Sequence, residues 1–103
     1  IQGSGIPLLN QSVLLKGVND DPYVLAKLSR ELVRINVFPY YLHHTDHAMG
    51  TSDFQVTLDN GIRIYKELAQ LVSGISLPRY VIDPPDGTGK VDVIEYSASM
   101  RGE

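Results

Sequence analysis

The feature that most constrains the fold of this 103-residue chain is the alternation of short apolar runs with longer segments of helical spacing. The first run, 8–15, ends in three consecutive aliphatic residues, which is typical of a strand buried on both faces of a parallel sheet. Leucine and isoleucine then recur every three or four residues, after Pro22 and the candidate N-cap residues Asp20 and Asp21. The pattern predicts a strand followed by a helix that ends near Arg34.

Two further units of the same kind follow. In chain order, the remaining predicted elements are a strand over 37–43, a loop over 44–56, a helix from Thr57 to Gly74, a strand over 80–82, a turn-rich loop over 84–89 and a short last strand over 91–96. Pro39 lies inside the second strand and predicts an edge or a bulge, because proline cannot donate to the hydrogen-bond ladder. Gly61 interrupts the otherwise regular pattern of the second helix.

Alternating strands and helices predict the α/β class, with parallel βα units joined by right-handed crossovers. The three strands of the βα-like units and the two helices leave apolar surface uncovered, because a parallel sheet is normally covered on both faces. We therefore expect residues 1–103 to form one segment of a larger architecture, either a partial TIM-like (βα) barrel or an open sheet.

Composition excludes several classes of function. The chain has no cysteine, so its own side chains cannot provide a disulfide, a thiolate metal site or a cysteine nucleophile. A net charge of -3, with the 9 basic residues scattered singly, offers no patch for a nucleic-acid backbone. With no apolar run near the roughly 18 residues of a membrane helix and no leader-like start, we expect a cytoplasmic protein without membrane contact.

Polar residues collect just after the predicted strands, where parallel α/β folds bind their ligands. Asp83 directly follows the third strand, and Asp46 lies three residues beyond the apolar part of the second. Neighbouring parallel strands would direct both carboxylates to one cavity. Such a pair suits acid–base chemistry, a hard metal ion or recognition of an ammonium group. The alternative is that both are loop residues that accept backbone amide hydrogen bonds.

A glycine-rich segment, 86–90, ends in Lys90 and resembles a phosphate-binding loop only in part. A nucleotide P-loop requires glycine at the position of Pro84 and serine or threonine at the position of Val91. A lysine on a flexible loop also suits Schiff-base formation, since its stem can swing between bound and free states. The alternative for Lys90 is a solvated turn lysine.

Three histidines, His43, His44 and His47, lie close to Asp46 and invite a metal-site interpretation. Their spacing matches no specific zinc pattern. In addition, His43 and His44 point to opposite faces if both are strand residues. We therefore predict no metal site.

The residues that resemble a known family lie in register over roughly 7–92; they are 10–20, Pro39 to Leu42, Asp46, Gly50, Ser73, Gly74, Pro78, Val81, Asp83, Pro85 and Gly87 to Lys90. Together they resemble the C-terminal half of the lysine 2,3-aminomutase family. These are radical S-adenosylmethionine enzymes that also use pyridoxal phosphate.

The resemblance implies a role for each matching position. Lys90 would bind pyridoxal phosphate covalently, Asp46 and Asp83 would hold the side-chain ammonium of substrate L-lysine, and Gln11 would contact S-adenosylmethionine. The implied activity is an isomerase that interconverts L-lysine and β-lysine by radical amino migration. Two alternatives stay open: a relative that makes β-lysine for the modification of elongation factor P, and a small non-catalytic α/β binding module.

The chain also departs from the family pattern. The three cysteines that bind the family's 4Fe-4S cluster lie well upstream of the matching segment, and the structural-zinc cysteine is replaced by Asp21. His43 stands where clostridial-type members have an aromatic hydroxyl. We expect the full-length enzyme, a homo-oligomer, to carry the cluster and S-adenosylmethionine. The segment without the remainder of the parent chain is expected to be inactive.

Overall fold

The structure is a computed structural model that describes residues 8–45, 55–72, 74–84, 87 and 89–102. The elements are β1 (Leu8–Leu14), α1 (Pro22–Arg34), β2 (Val37–His44), α2 (Leu58–Leu71), a 3₁₀ turn (Gly74–Ser76), β3 (Arg79–Ile82), β4 (Val91–Asp92) and α3 (Val93–Met100). The first five predicted strands and helices are all present at the expected places. The α/β class is confirmed.

Two helices begin at the residues that the sequence indicates. Asp21 accepts a hydrogen bond from the backbone N–H of Tyr23 at 2.8 Å, and Pro22 occupies the first helical position, where it has no N–H to lose. Thr57 caps α2 by accepting from the N–H of Asn60 at 3.2 Å. None of the described helices is long and apolar enough to cross a lipid bilayer.

The sheet has the order β1-β2-β3-β4, and its first three strands are parallel as predicted. The fourth strand is antiparallel to β3, so the sheet is mixed and the expectation of parallel units alone is wrong. The predicted strand over 91–96 is also wrong beyond Asp92. The Asp92 carboxylate accepts from the N–H groups of Ile94 and Glu95, at 2.9 and 3.1 Å, and thereby starts a helix.

A β-bulge in β2 explains how the sheet tolerates Pro39. Asn10 lies opposite Pro39 and Gln11 lies opposite Tyr41, which leaves Tyr40 as the extra residue. Pairing with β3 begins only at Tyr41, so Pro39 faces no ladder on that side among the described strands. The predicted bulge is confirmed, and it places the Tyr40 and Tyr41 rings side by side with centroids 4.2 Å apart.

The helices pack on one face of the sheet. The core cluster consists of Leu14, Leu25, Ala26, Leu42, Val56, Ile64, Leu68, Val72, Tyr80, Ile82 and Val93. It joins residues of α1, α2 and α3 with one residue each of β1 and β2 and two residues of β3. The opposite face, which we call the open face, carries Leu9, Gln11, Val13, Tyr41 and His43. Leu9 is 55% exposed and Val13 is 40% exposed, so the described residues leave this face uncovered over β1. Val81 of β3, which pairs with His43, is only 2% exposed.

Candidate functional site

Two polar side chains meet on the open face across the first two strands. The Nε2 atom of His43 lies 2.9 Å from the Oε1 atom of Gln11. Tyr41 precedes His43 on the same face of β2, and the two ring centroids are 5.7 Å apart. The parallel register with its bulge produces this meeting, because it pairs Gln11 with Tyr41 and the next outward residue, Val13, with His43.

Lys90 reaches the same face from the segment between β3 and β4. Its Nζ atom lies 5.8 Å from the centroid of the Tyr41 ring, within the range of a cation–π contact. Arg79 Cζ lies 6.0 Å from that centroid. Among the residues that the structure describes, Lys90 forms no ion pair. Its exposed amine therefore lies beside an aromatic ring and is available to a ligand.

Electrostatics link Asp83 and Lys90 to His43. Burial is the first cause that lowers the pKa of His43, and the positive charge of Lys90 lowers it further. The negative charge of Asp83 acts in the opposite direction. Of the residues that the sequence selects, Gln11 contacts His43 directly, whereas Lys90 and Asp83 act on its pKa through their charges. His43 itself was recognised in the sequence only as a candidate metal ligand and as a departure from the family pattern.

Glycines shape the backbone that leads to Lys90. Gly87 and Gly89 have φ angles of +78° and +87°, in the left-handed region that other residues rarely adopt. The space around both α-carbons is open, so the backbone conformation alone requires glycine there. The glycines of this segment are thus explained by the backbone conformation, as the turn-rich composition of the loop suggested.

The neighbouring histidine, His44, points the other way, as predicted for adjacent strand residues. It is buried, and its Nδ1 atom lies 2.6 Å from the hydroxyl of Tyr80. Tyr80 stacks on Tyr65 with centroids 5.4 Å apart, and the Tyr65 hydroxyl donates to the carbonyl of Pro78 at 2.7 Å. Gly61 faces the hydrogen bond between His44 and Tyr80, because a Cβ atom at Gly61 would fall on the Tyr80 hydroxyl. The glycine that interrupts the α2 pattern is the sequence signal for this close approach.

Comparison with known proteins identifies the relatives of this chain. It is 50% identical over 97 residues to an Aquifex aeolicus protein provisionally named as an L-lysine 2,3-aminomutase. The match covers 94% of this chain and 26% of that protein. The chain is 47% identical over 94 residues to an L-lysine 2,3-aminomutase of Methanococcus maripaludis, covering 91% of this chain and 22% of the relative. This chain is homologous to a segment of the lysine 2,3-aminomutase family. The resemblance noted in the sequence is confirmed.

The relatives of this chain include a protein named for a different substrate. A glutamate 2,3-aminomutase of Clostridioides difficile is 38% identical over 102 residues, covering 99% of this chain and 24% of the relative. Proteins named for two different substrates therefore match the same aminomutase segment. The chain spans about a quarter of the length of these relatives. No family model matches the chain.

One residue of the predicted aminomutase site, Asp46, lies outside the described residues. His47, which was considered as a metal ligand, and Asp86 of the glycine-rich segment also lie outside them. The pairing of Asp46 with Asp83 therefore stays a prediction. Within the ranges that are described, no group of three or more histidine, aspartate or glutamate side chains could hold a metal ion.

The buried Tyr80 leads to a prediction about alkaline pH. Burial raises the pKa of Tyr80 well above its usual value of 10.0, so the phenol stays protonated in the folded protein when the unfolded chain ionises. Stability is therefore lost as the pH rises above about 10. We expect tyrosinate absorbance from Tyr80 to appear only with alkaline unfolding. Absorbance is measured against pH for the full-length wild type and for Tyr80→Phe, with Tyr23→Phe as an exposed control. Ionisation of Tyr80 before the protein unfolds would contradict this prediction.

Proposed function

We propose that this chain is the C-terminal, cofactor- and substrate-binding segment of an L-lysine 2,3-aminomutase. The full-length protein would be an isomerase that interconverts L-lysine and β-lysine. The observation that carries the proposal is the position of Lys90 on the open face, beside Tyr41 and close enough to His43 to affect its pKa together with Asp83. The names of the homologues support the same reaction class.

The open face corresponds, in this proposal, to the interior of a partial TIM-like barrel. Successive parallel strands are neighbours, and α1 and α2 lie against the same face of the sheet. A barrel requires this arrangement, whereas a doubly wound sheet reverses its strand order and places helices on both faces. The exposed Leu9 and Val13 then need a cover. The remainder of the parent chain, about three quarters of the length of the relatives, would supply it.

The described residues fit pyridoxal phosphate. Lys90 offers an exposed primary amine with no ion-pair partner in the described part of the chain, which suits covalent attachment to an aldehyde. Tyr41 provides an aromatic surface next to that amine. When bound, the cofactor supplies an electron-withdrawing ring that stabilises an unpaired electron during amino migration. S-adenosylmethionine would contact Gln11, and the 4Fe-4S cluster would be held by cysteines elsewhere in the parent chain, so the segment alone would be inactive.

The charge of the site favours lysine over glutamate as substrate. Asp83 would accept hydrogen bonds from the substrate's side-chain ammonium, together with Asp46. Two unit charges about 4 Å apart interact by about 4 kcal/mol at an effective dielectric constant of about 20, and a carboxylate in place of the ammonium reverses the sign. Asp83 would hold the side-chain ammonium of lysine, and Lys90 would act at its α-amino group. With both ends held, the position of the β-carbon between them is fixed. A covered barrel interior would also keep water away from the reacting atoms.

The test is Asp83→Asn in the full-length protein. The variant keeps the shape of the side chain but loses its charge, so we expect kcat/KM for lysine to fall by roughly 30- to 1000-fold, as when a hydrogen-bonded charge pair is broken. Formation of β-lysine is measured by chromatography. Asp59→Asn is the matched control, because Asp59 lies on α2 with its side chain 92% exposed. Equal turnover by the two variants would favour a non-catalytic module and contradict the proposal.

A further inference from the structure

A groove, which we call the amino-end groove, lies on the open face where the strands begin. Its volume is about 410 Å³, and its lining includes Leu9, Phe38, Tyr40, Ile75, Leu77 and Arg79. Phe38 pairs with Leu9 and Arg79 pairs with Tyr41, so these side chains belong to the face that carries the candidate site. Arg79 is the first residue of β3, whereas the proposed cofactor and substrate residues follow that strand. The groove therefore lies at the opposite end of the open face from the proposed chemistry.

The walls of the amino-end groove are apolar side chains that the described residues leave exposed. Ile75 is 64% exposed, Leu9 is 55% exposed and Tyr40 is 40% exposed. Exposed apolar side chains grouped around a concave surface usually mark a place where another segment or molecule packs. About three quarters of the length of the relatives lies outside the segment that matches this chain. A parent chain of that length has ample polypeptide to fill the groove.

Arg79 gives the amino-end groove a positive charge. It forms no ion pair with any residue that the structure describes, and its Cζ atom lies 6.0 Å from the centroid of the Tyr41 ring. No described residue of the lining is acidic. Two copies of the groove that faced each other across a two-fold axis would therefore place one Arg79 against another. A carboxylate from a different part of the parent chain would instead complement the charge.

We propose that the amino-end groove receives a segment of the same polypeptide from outside residues 1–103, in which an aspartate or glutamate lies beside an apolar side chain. The carboxylate pairs with Arg79, and the apolar side chain packs against Leu9 and Ile75. In (βα) barrels the active site lies at the carboxyl ends of the strands and the opposite end serves stability, so this segment holds the fold together and does not bind substrate. The inference rests on the proposed function only in treating the chain as part of a longer aminomutase, and it does not depend on the reaction.

The first experiment is photo-crosslinking in the full-length protein, with p-benzoylphenylalanine in place of Ile75. This position lies in the exposed 3₁₀ turn, which leaves room for a larger side chain. We expect irradiation to attach it to a peptide from outside residues 1–103 of the same chain, with an acidic residue near the point of attachment. Proteolysis and mass spectrometry identify the peptide. The control places p-benzoylphenylalanine at Tyr23, an exposed position on α1, and should not capture that peptide.

The other outcomes of the crosslinking each overturn the inference. A product of doubled mass on a denaturing gel would mean that a second copy occupies the groove. Attachment confined to residues 1–103, or no attachment, would mean that no other segment lies there. A captured peptide without an acidic residue would leave Arg79 without the proposed partner.

The second experiment tests the charge pair by thermal unfolding of the full-length protein. Removing one partner of a covered ion pair leaves the other charge buried, which costs more than breaking an exposed pair. Arg79→Met should therefore lower the Tm by at least about 3 °C. Arg34→Met removes a solvent-exposed pair with Glu31 and should change the Tm by less than about 1 °C. Equal shifts in the two variants would contradict the proposal.

A charge exchange separates the proposed pair from the contact between Arg79 and Tyr41. Arg79→Glu should lower the Tm further than Arg79→Met, because two carboxylates then face each other. Replacing the acidic residue found by crosslinking with arginine should restore most of that loss, which the contact with Tyr41 alone cannot do. No recovery overturns the inference. Neither experiment uses lysine or a cofactor, so its failure leaves the proposed function standing, and equal turnover by Asp83→Asn and Asp59→Asn leaves this inference standing.

Discussion

Replacing Lys90 with methionine in the full-length protein should abolish the formation of β-lysine, with a loss of at least roughly 10³-fold in kcat. Methionine keeps an unbranched side chain of similar length but has no amine, so the cation–π contact with Tyr41 is lost as well. If the proposed function is correct, this change removes the residue to which pyridoxal phosphate would be attached, and with it the means of exchanging the cofactor for substrate. Turnover is measured by chromatography, and attached cofactor is measured by mass after borohydride reduction.

Two comparisons make this result specific to the amine. Lys90→Arg keeps the positive charge near Tyr41 and His43 but cannot form the same stable attachment, so it should be as inactive as Lys90→Met. Lys66→Met changes an exposed lysine of α2 and should leave turnover unchanged. Borohydride-trapped cofactor on a residue other than Lys90 would refute the assignment. Full activity of Lys90→Arg would mean that only its charge matters.

Most of the fold could be predicted because its signals are local. Asp21 and Thr57 each cap a helix through a bond to an amide two or three residues away, and such bonds depend on neighbouring residues only. The segment after Asp92 shows the opposite case. Its β-branched residues favour a strand, but the Asp92 cap and the burial of Val93 in the core form a helix. Tertiary packing decided this element.

Candidate site residues could be selected from the sequence, but their contacts could not be predicted. Asp83 and Lys90 follow a predicted strand, where parallel sheets collect ligands. Gln11 lies within the first strand and was selected only through the family resemblance. The contact of Gln11 with His43 depends on the register of β1 against β2, which a bulge shifts by one residue. Pro39 indicates a bulge, yet nothing local says that Tyr40 is the extra residue. The position of His43 therefore required the structure.

The largest expected effect on stability is that of Gly61→Ala. Alanine in place of glycine normally stabilises a helix by about 0.5–1 kcal/mol. Here the new methyl group would fall on the Tyr80 hydroxyl, 3.1 Å from Tyr80 Cζ and 3.4 Å from Nδ1 of His44. Tyr80 is 1% exposed and cannot retreat into solvent. We expect a loss of about 2–5 kcal/mol, the sum of overpacking and a broken buried hydrogen bond. Thermal unfolding of the full-length protein measures the loss.

A double variant separates this steric cause from a backbone effect. Tyr80→Phe removes the atom on which the methyl group falls, but it leaves Nδ1 of His44 without the Tyr80 hydroxyl. Once Gly61→Ala has displaced that hydroxyl, deleting it should cost little more, so Gly61→Ala/Tyr80→Phe should be more stable than the sum of the single variants by at least about 1 kcal/mol. Additive losses would show that the cost arises in the α2 backbone, and a stable Gly61→Ala variant would refute the close approach. Because His44 ends β2 and Tyr80 lies in β3, a confirmed coupling would establish that this contact joins the two strands to α2 beneath the open face.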